Sequence, residues 1–285
     1  MRILITGTHG QLGTALQKEL TNQNYEVIAL GKSDLDLTKI KQIKTVIEKF
    51  CPKVVINCAA YNYVEGAGED IEKAYCLNTF APYWLAVTTK KVGGKLIQLS
   101  SDYVFDGSKE SFRENDTPCP LNIYGMSRLA GERLVHLVAP ESIIIRTSRL
   151  FGFSDDPQSH NFVKGIIKRA NQEGLVSVVT DQIGNPTYAP DLAVAICQLL
   201  EKRAVVGIYH ITNSGACSWY EFTKKIFEIA HITAPIIPIV TDESGTKISR
   251  PSFSVLENFR LIELGITPLR HWSEALAEYL GKLTI

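Results

Sequence analysis

Residues 2–13 read Arg2-Ile3-Leu4-Ile5-Thr6-Gly7-Thr8-His9-Gly10-Gln11-Leu12-Gly13. A short apolar run enters a glycine-rich turn, and the amphipathic stretch Gln11–Asn22 follows. An apolar run with no polar alternation fits a strand covered on both faces. Glycines at 7, 10 and 13 let the backbone turn tightly and let an anion approach the next helix. The free N–H groups and dipole of that helix end favour negative charge. The spacing is GxxGxxG rather than GxGxxG. Such a triplet carries weight only after the first strand of a βαβ unit, which is where this one lies. Gly7, Gly10, Gln11, Leu12 and Gly13 are therefore expected to hold a pyrophosphate.

The same rhythm continues outward from that loop. Strands are expected at Arg2–Thr6, Tyr25–Leu30, Lys53–Cys58, Lys95–Leu99 and Ser142–Arg146. Helices are expected at Gln11–Asn22, Thr38–Phe50, Glu69–Val92 and Ile123–Val138. Strands alternating with helices at this spacing predict an α/β fold, a Rossmann-type doubly wound parallel sheet. After about residue 150 the pattern changes: a polar loop over 152–160, then helices at Phe162–Gln172, Asp191–Glu201 and Trp219–Ala230. Strands are expected at Leu175–Val179, Ile208–Ile211 and Ile236–Val240, then a polar loop over 241–251 and two terminal helices. Residues 1–150 are read as a dinucleotide-binding domain and 151–285 as a smaller substrate lobe, with elements of about 187–212 able to return to the first sheet.

Strand two ends in Gly31-Lys32-Ser33, where NAD-preferring sites place an acid on the ribose hydroxyl. Lys32 instead suits a 2′-phosphate, so the expected cofactor is NADPH, with NADH the alternative.

Composition sets the limits. Among 285 residues, 45% are hydrophobic and 21% charged, with 20 Gly and 12 Pro, which excludes collagen-like and disordered classes. Thirty basic and thirty acidic residues balance. No charge block supports nucleic-acid or polybasic membrane binding. No apolar run approaches a membrane span, and the N-terminus lacks the parts of a signal peptide. Cys51, Cys58, Cys76, Cys119, Cys197 and Cys217 form no CxxC pair. They read as reduced thiols of a cytoplasmic protein, with no metal site.

The chemistry is expected after the fourth strand, at Ser100-Ser101-Asp102-Tyr103-Val104-Phe105-Asp106-Gly107, and at Tyr124-Gly125-Met126-Ser127-Arg128. On a helix Tyr124 and Arg128 are i and i+4 and share a face. A strand-end hydroxyl beside a tyrosine and a cation suits carbonyl reduction: Tyr124 donates a proton, Ser101 hydrogen-bonds the keto oxygen, and Arg128 favours the phenolate left behind.

At these residues the chain resembles the extended short-chain dehydrogenases, and within them the dTDP-4-dehydrorhamnose reductase family. The likeness runs through Gly10–Gly13, Asn57–Tyr61, Ser100–Gly107, Pro120–Gly125, Leu129–Glu132, Arg146–Ser148, Asn161-Phe162, Asp181–Thr187 and Arg250-Pro251, with Ser254 and Leu256 beyond. It implies reduction of the 4-keto group of a dTDP-sugar. It makes Ser101, Tyr124 and the cation at 128 catalytic, and sets Asp36 and Leu37 beside the adenine. Cys58, Ala59, Ala60, Tyr61 and Ser100 would line the cofactor. Asp102, Arg149, Asn161, Gln182, Thr187 and Arg250 would meet the substrate, with the Arg250 guanidinium on the diphosphate. A homodimer is compatible with the resemblance, although no metal-ligand cluster for a metal-linked one is evident. Related 4,6-dehydratases carry Asp-Glu after the catalytic hydroxyl; here Asp102 is followed by Tyr103, which leaves simple reduction.

Three positions depart from the family. Arg128 replaces its lysine, Arg149 its tryptophan near the sugar, and Gly66 the lysine after Val64-Glu65. A unit charge ~5 Å from a phenolate at an effective dielectric of ~20 contributes roughly 3 kcal/mol, so Arg128 preserves the charge effect. Its planar fork differs from an ammonium in how it grips ribose hydroxyls. Arg149 either brings a charge to the sugar or swings to solvent. Two other functions fit the residues: a reductase or epimerase of another nucleotide sugar, and a cofactor-binding partner protein with little catalysis.

Overall fold

In the computed structural model, residues 1–285 are described except 157, 158, 160, 203, 204, 284 and 285. Part of the polar stretch expected over 152–160 thus lies outside the described residues.

Strand β1 (Arg2–Thr6) is buried from Ile3 onward, as its unbroken apolar run requires. It pairs in parallel with β2 (Glu26–Leu30) on one side and β3 (Val54–Asn57) on the other. Strands β4 (Lys95–Ser101), β5 (Ile143–Thr147) and β6 (Gly207–His210) extend the sheet, giving the order β2-β1-β3-β4-β5-β6 with every pairing parallel. The order reverses between β1 and β3. In open α/β sheets, ligands bind outside the carboxyl ends of the strands at such a point.

The main helices, in chain order, are α1 (Gln11–Asn22), α2 (Ile40–Phe50), α3 (Ala81–Lys91), α4 (Ile123–Val138), α5 (Phe162–Glu173), α6 (Ala189–Glu201), α7 (Trp219–Ala230) and α8 (Trp272–Gly281). Leu12, Leu16 and Leu20 of α1 and Leu192 and Ile196 of α6 pack on one face of the sheet, against Ile3, Ile5, Ile56 and Ile145. Ile43 and Ile47 of α2, Leu85 of α3 and Val135 of α4 cover the other face, against Leu4, Val55, Leu96 and Ile144. Alternate strand residues thus serve opposite layers. A separate aromatic core gathers Phe151, Tyr188, Phe222, Trp272 and Tyr279 among α5, α7 and α8.

The segment expected as one helix over 69–92 is broken. Helices at Val64–Glu69 and Ile71–Tyr75 precede a π-helical turn at Cys76–Phe80 and then α3. Asp70 restarts the helix by accepting from Lys73 N at 3.0 Å. The π turn frees Asn78 and Thr79 for longer-range bonds described below; π turns recur where a helix is bent to a functional purpose.

Candidate active site

The glycine turn sits at the point where the strand order reverses. Gly7 has φ +67°, and a Cβ there would stand 2.7 Å from Ala59 N, so the ends of β1 and β3 approach too closely for a side chain. A Cβ at Gly13 would meet the Gly7 carbonyl oxygen at 2.3 Å. Gly10 differs: its φ of −72° suits any residue, and its Cβ would come no nearer than 3.4 Å to that same oxygen. Internal packing explains Gly7 and Gly13, whereas Gly10 leaves room for something arriving from outside. It also caps α1 without a side chain. The N–H groups of that helix end could hold a ligand pyrophosphate. Behind the loop, Thr6 Oγ1 donates to Asn57 Oδ1 at 2.6 Å and Asn57 Nδ2 to Gln98 Oε1 at 2.8 Å, a buried ladder tying together β1, β3 and β4.

Cys58, Ala59, Ala60 and Tyr61 leave β3 beside the glycine turn, where Ala59 N faces Gly7. Asn78 holds this segment, accepting from Tyr61 N at 2.8 Å and donating to Tyr61 O at 3.0 Å. Burial pushes the Cys58 thiol up, so it is a protonated wall rather than a nucleophile. Beyond β2, Leu37 buries its side chain in the core. Asp36 accepts from Thr38 N and Oγ1, and these bonds hold its carboxyl below the usual carboxylate range. Lys32 is exposed. One feature is invisible in the tripeptide Gly31–Ser33: Asp34 folds back and accepts from Gly31 N at 2.8 Å.

Ser101 ends β4, and Tyr124 opens α4. Asn122 caps that helix by accepting from Gly125 N at 2.9 Å. A Cβ at Gly125 would stand 2.1 Å from the Tyr103 carbonyl oxygen, so the helix start is seated directly on the turn that follows Ser101. The Tyr103 and Tyr124 rings meet edge to face at 5.7 Å. From the π turn, Thr79 Oγ1 donates to Ser127 O at 2.7 Å and Asn78 Nδ2 to Ser127 Oγ at 3.0 Å, fixing α4 against the Ala59–Tyr61 segment. One turn beyond Tyr124, the buried Arg128 donates from Nη2 to Leu99 O at 2.6 Å. Its Nη1 is buried with no protein partner. Such a donor costs about 1–3 kcal/mol or more unless something accepts from it. Hydroxyls of a cofactor ribose are suitable acceptors.

Ser101 Oγ donates to Asp102 Oδ1 at 3.0 Å and accepts from Tyr103 N at 3.2 Å. Ser148 Oγ donates to Asp102 Oδ2 at 2.8 Å, and Ser254 is a further donor. Burial pushes the Asp102 carboxyl above its ordinary range, against the opposing pull of these serines and of Arg149. Arg149 turns inward from a backbone φ of +45°. It donates to Cys217 O and Gln182 O, both at 2.8 Å, and lies over the Trp219 ring at 4.3 Å. It therefore does not swing to solvent. Arg250 is ion-paired with Glu65. Its Nε is buried without a partner, a second donor open to an anion.

Ser100, Asn161, Gln182 and Thr187, also expected as contact residues, likewise have their side chains engaged within the protein. Ser100 Oγ bonds Glu132, since neighbouring strand residues face opposite ways and Ser101 takes the site. Asn161 caps α5 and donates to Gly152 O at 2.7 Å, Tyr279 Oη at 3.0 Å and Gln11 Oε1 at 3.3 Å. Gln182 Nε2 donates to Thr241 Oγ1 at 3.1 Å. Thr187 Oγ1 donates to Asn185 O at 3.3 Å. Sequence reading missed Tyr103, Ser148 and Ser254 as the surroundings of Asp102, although all three lie in motifs that carry the resemblance. It also missed the buried Arg146–Glu132 pair at 2.7 Å, which supports β4 from behind through Ser100.

Comparison with known proteins bears on the family and the fold. The family described as the RmlD substrate binding domain matches residues 1–285. The chain is 40% identical over 280 residues to the spore coat polysaccharide biosynthesis protein SpsK of Bacillus subtilis, covering 98% of this chain and 96% of that one. It is 39% identical to a dTDP-4-dehydrorhamnose reductase of Aggregatibacter actinomycetemcomitans, covering 96% and 97%. The crystal structure of dTDP-4-dehydrorhamnose reductase from Bacillus anthracis in complex with NADP superposes with a TM-score of 0.94 at 38% identity, covering 99% of each chain.

Proposed function

Because the chain belongs to the dTDP-4-dehydrorhamnose reductase family, we propose that it reduces the 4-keto group of dTDP-4-dehydro-L-rhamnose to dTDP-L-rhamnose with NADPH. NADPH, when bound, supplies the hydride. Gly7, Gly10 and the first turn of α1 would hold its pyrophosphate, Arg128 its ribose hydroxyls, and the Ala59–Tyr61 segment its flank. Tyr124 holds the proton that passes to the 4-oxygen. Ser101 turns its hydroxyl from Asp102 to that oxygen, and Asp102 keeps the serine oriented through Ser148 and Ser254. Arg128 favours the tyrosinate as the proton leaves. Arg250 exchanges Glu65 for the diphosphate of the substrate.

The observation that carries this reading is the unpartnered, buried Nη1 of Arg128 one helical turn from Tyr124. It supports a cofactor that completes the cation's bonds, with arginine taking the place of lysine in YxxxK. The test is NADPH oxidation with dTDP-4-dehydro-L-rhamnose and identification of the product by NMR. Formation of dTDP-L-rhamnose is expected; cofactor binding without turnover would instead favour a partner protein. The same reading includes NADH as a weaker donor, a cytoplasmic location and a homodimer, the last checked by light scattering. Among the described residues no helix is long and apolar enough to cross a membrane.

A further inference from the structure

The end of β2 carries a contact that the reduction chemistry does not use. A Cβ on Gly31 would stand 2.5 Å from His9 Cδ2 and 2.6 Å from His9 Nε2. The imidazole edge therefore rests on the Gly31 backbone, and any side chain at 31 would displace it. The ring is exposed, but its backbone is anchored: the His9 carbonyl accepts from Ser154 Oγ at 2.7 Å and from Asp156 N at 3.0 Å. Lys32 is the next residue, also exposed. Asp34, the nearest acid along the chain, is turned onto Gly31 N. A glycine thus stands at the strand end where an acid would select NAD, and a titratable ring occupies the space that it leaves.

We propose that His9 selects NADPH over NADH in a proton-dependent way: as an imidazolium it donates from Nε2 to the adenosine 2′-phosphate, beside the Lys32 side chain. This rests on the reading of the cleft as an NADPH site. Among the described residues, the charged groups on the elements that meet His9 are Lys32 and Asp34 at the end of β2, and Asp155 and Asp156 in the turn that holds its carbonyl. Histidine is the side chain whose charge change falls in the physiological pH range, which makes pH the variable that tests the ring. The phosphate monoester itself titrates near pH ~6, so only a comparison with a His9 variant isolates the ring.

The experiment measures Kd for NADPH and for NADH by fluorescence titration between pH 6 and 8.5. It uses the wild type, His9→Gln, His9→Asn and Lys32→Ala. In the wild type the preference for NADPH should fall about fivefold to tenfold across that range, the size of one screened charge-assisted hydrogen bond. His9→Gln and His9→Asn should lose most of that slope with NADH affinity unchanged. Lys32→Ala should lower the preference at every pH and keep the slope. A slope retained in both His9 variants would overturn the assignment of His9. Absence of binding by either cofactor in the wild type would instead overturn the cofactor site itself.

Discussion

Arg128 donates from Nη2 to the carbonyl oxygen of Leu99 at 2.6 Å, which ties the cation of α4 to β4 two residues before Ser101. The backbone bond consumes one arm of the fork and leaves the other for a ligand. A lysine at this position has one ammonium for both tasks. Arg128→Lys should therefore stay active, with kcat within about tenfold of the wild type. Arg128→Met removes both the charge and the donor, and should cost at least ~100-fold in kcat/KM together with weaker NADPH binding. Steady-state kinetics and a cofactor titration separate the two effects. An inactive Arg128→Lys beside an active parent would mean that the cleft has been rebuilt around the guanidinium.

Tyr124→Phe removes only the hydroxyl. The ring keeps its edge-to-face contact with Tyr103, and Gly125 still seats the helix on the turn after Ser101. The expected result is a loss of kcat of ~10²–10⁴-fold, the usual contribution of a positioned proton donor, with NADPH affinity within about twofold. Substantial turnover by the variant would remove Tyr124 from that role.

Much of this arrangement was legible in the sequence because it depends on short-range pattern. The expected spans of β1, α1, α4 and α7 coincide with the observed ones, each fixed by an apolar period and, for α4 and α7, by a capping residue, Asn122 or Ser218. The helix over 69–92 was misjudged because its apolar period continues through a π turn. Within that turn Asn78 and Thr79 bond to Ser127, about fifty residues away in the chain, a contact that local pattern does not carry. Arg149 was illegible for the same reason: its acceptors belong to residues 182 and 217, and its aromatic partner is Trp219. Motif likeness located the neighbourhood of Asn161, Gln182 and Thr187. It did not reveal that their side chains bond within the protein, since a motif conveys residue identity but not the direction of a side chain.

The ion pair of Arg146 and Glu132 is buried on both sides, with side-chain exposures of 1% and 3%. Glu132 takes Arg146 Nε at 3.0 Å and Nη2 at 2.7 Å, and also accepts from Ser100. Truncating one partner strands the other charge away from water. Glu132→Ala should cost roughly 3–5 kcal/mol of stability in urea unfolding. Because Ser100 precedes Ser101 on β4, kcat should fall in the folded fraction as well. Glu132→Gln keeps the shape and one acceptor oxygen, and should recover part of both losses. Stability unchanged in Glu132→Ala would mean that the pair contributes nothing net.

His210 completes this cluster and makes stability depend on pH. Its Nδ1 lies 3.2 Å from Phe112 O, which assigns the proton there, and Nε2 faces Arg146 Nη1 at 3.4 Å. Burial first, and then the Arg146 charge, push the imidazole down to about 3. In the unfolded chain a histidine titrates near ~6.5. The folded state thus refuses a proton that the unfolded state accepts. The stability this contributes is full above pH ~6.5 and is lost as pH falls towards ~3, at up to ~1.4 kcal/mol per pH unit. Between pH 7.5 and 5.0 the wild type should lose roughly 2 kcal/mol by this route, a window above the titration of ordinary carboxylates. Asp102, whose carboxyl is pushed up by burial, acts in the opposite sense, so the wild type must be compared with His210→Asn. Urea midpoints at the two pH values should differ less in the variant. Equal pH dependence in both proteins would mean that His210 takes up its proton in the native state, and the neutral ring facing Arg146 would then be wrong.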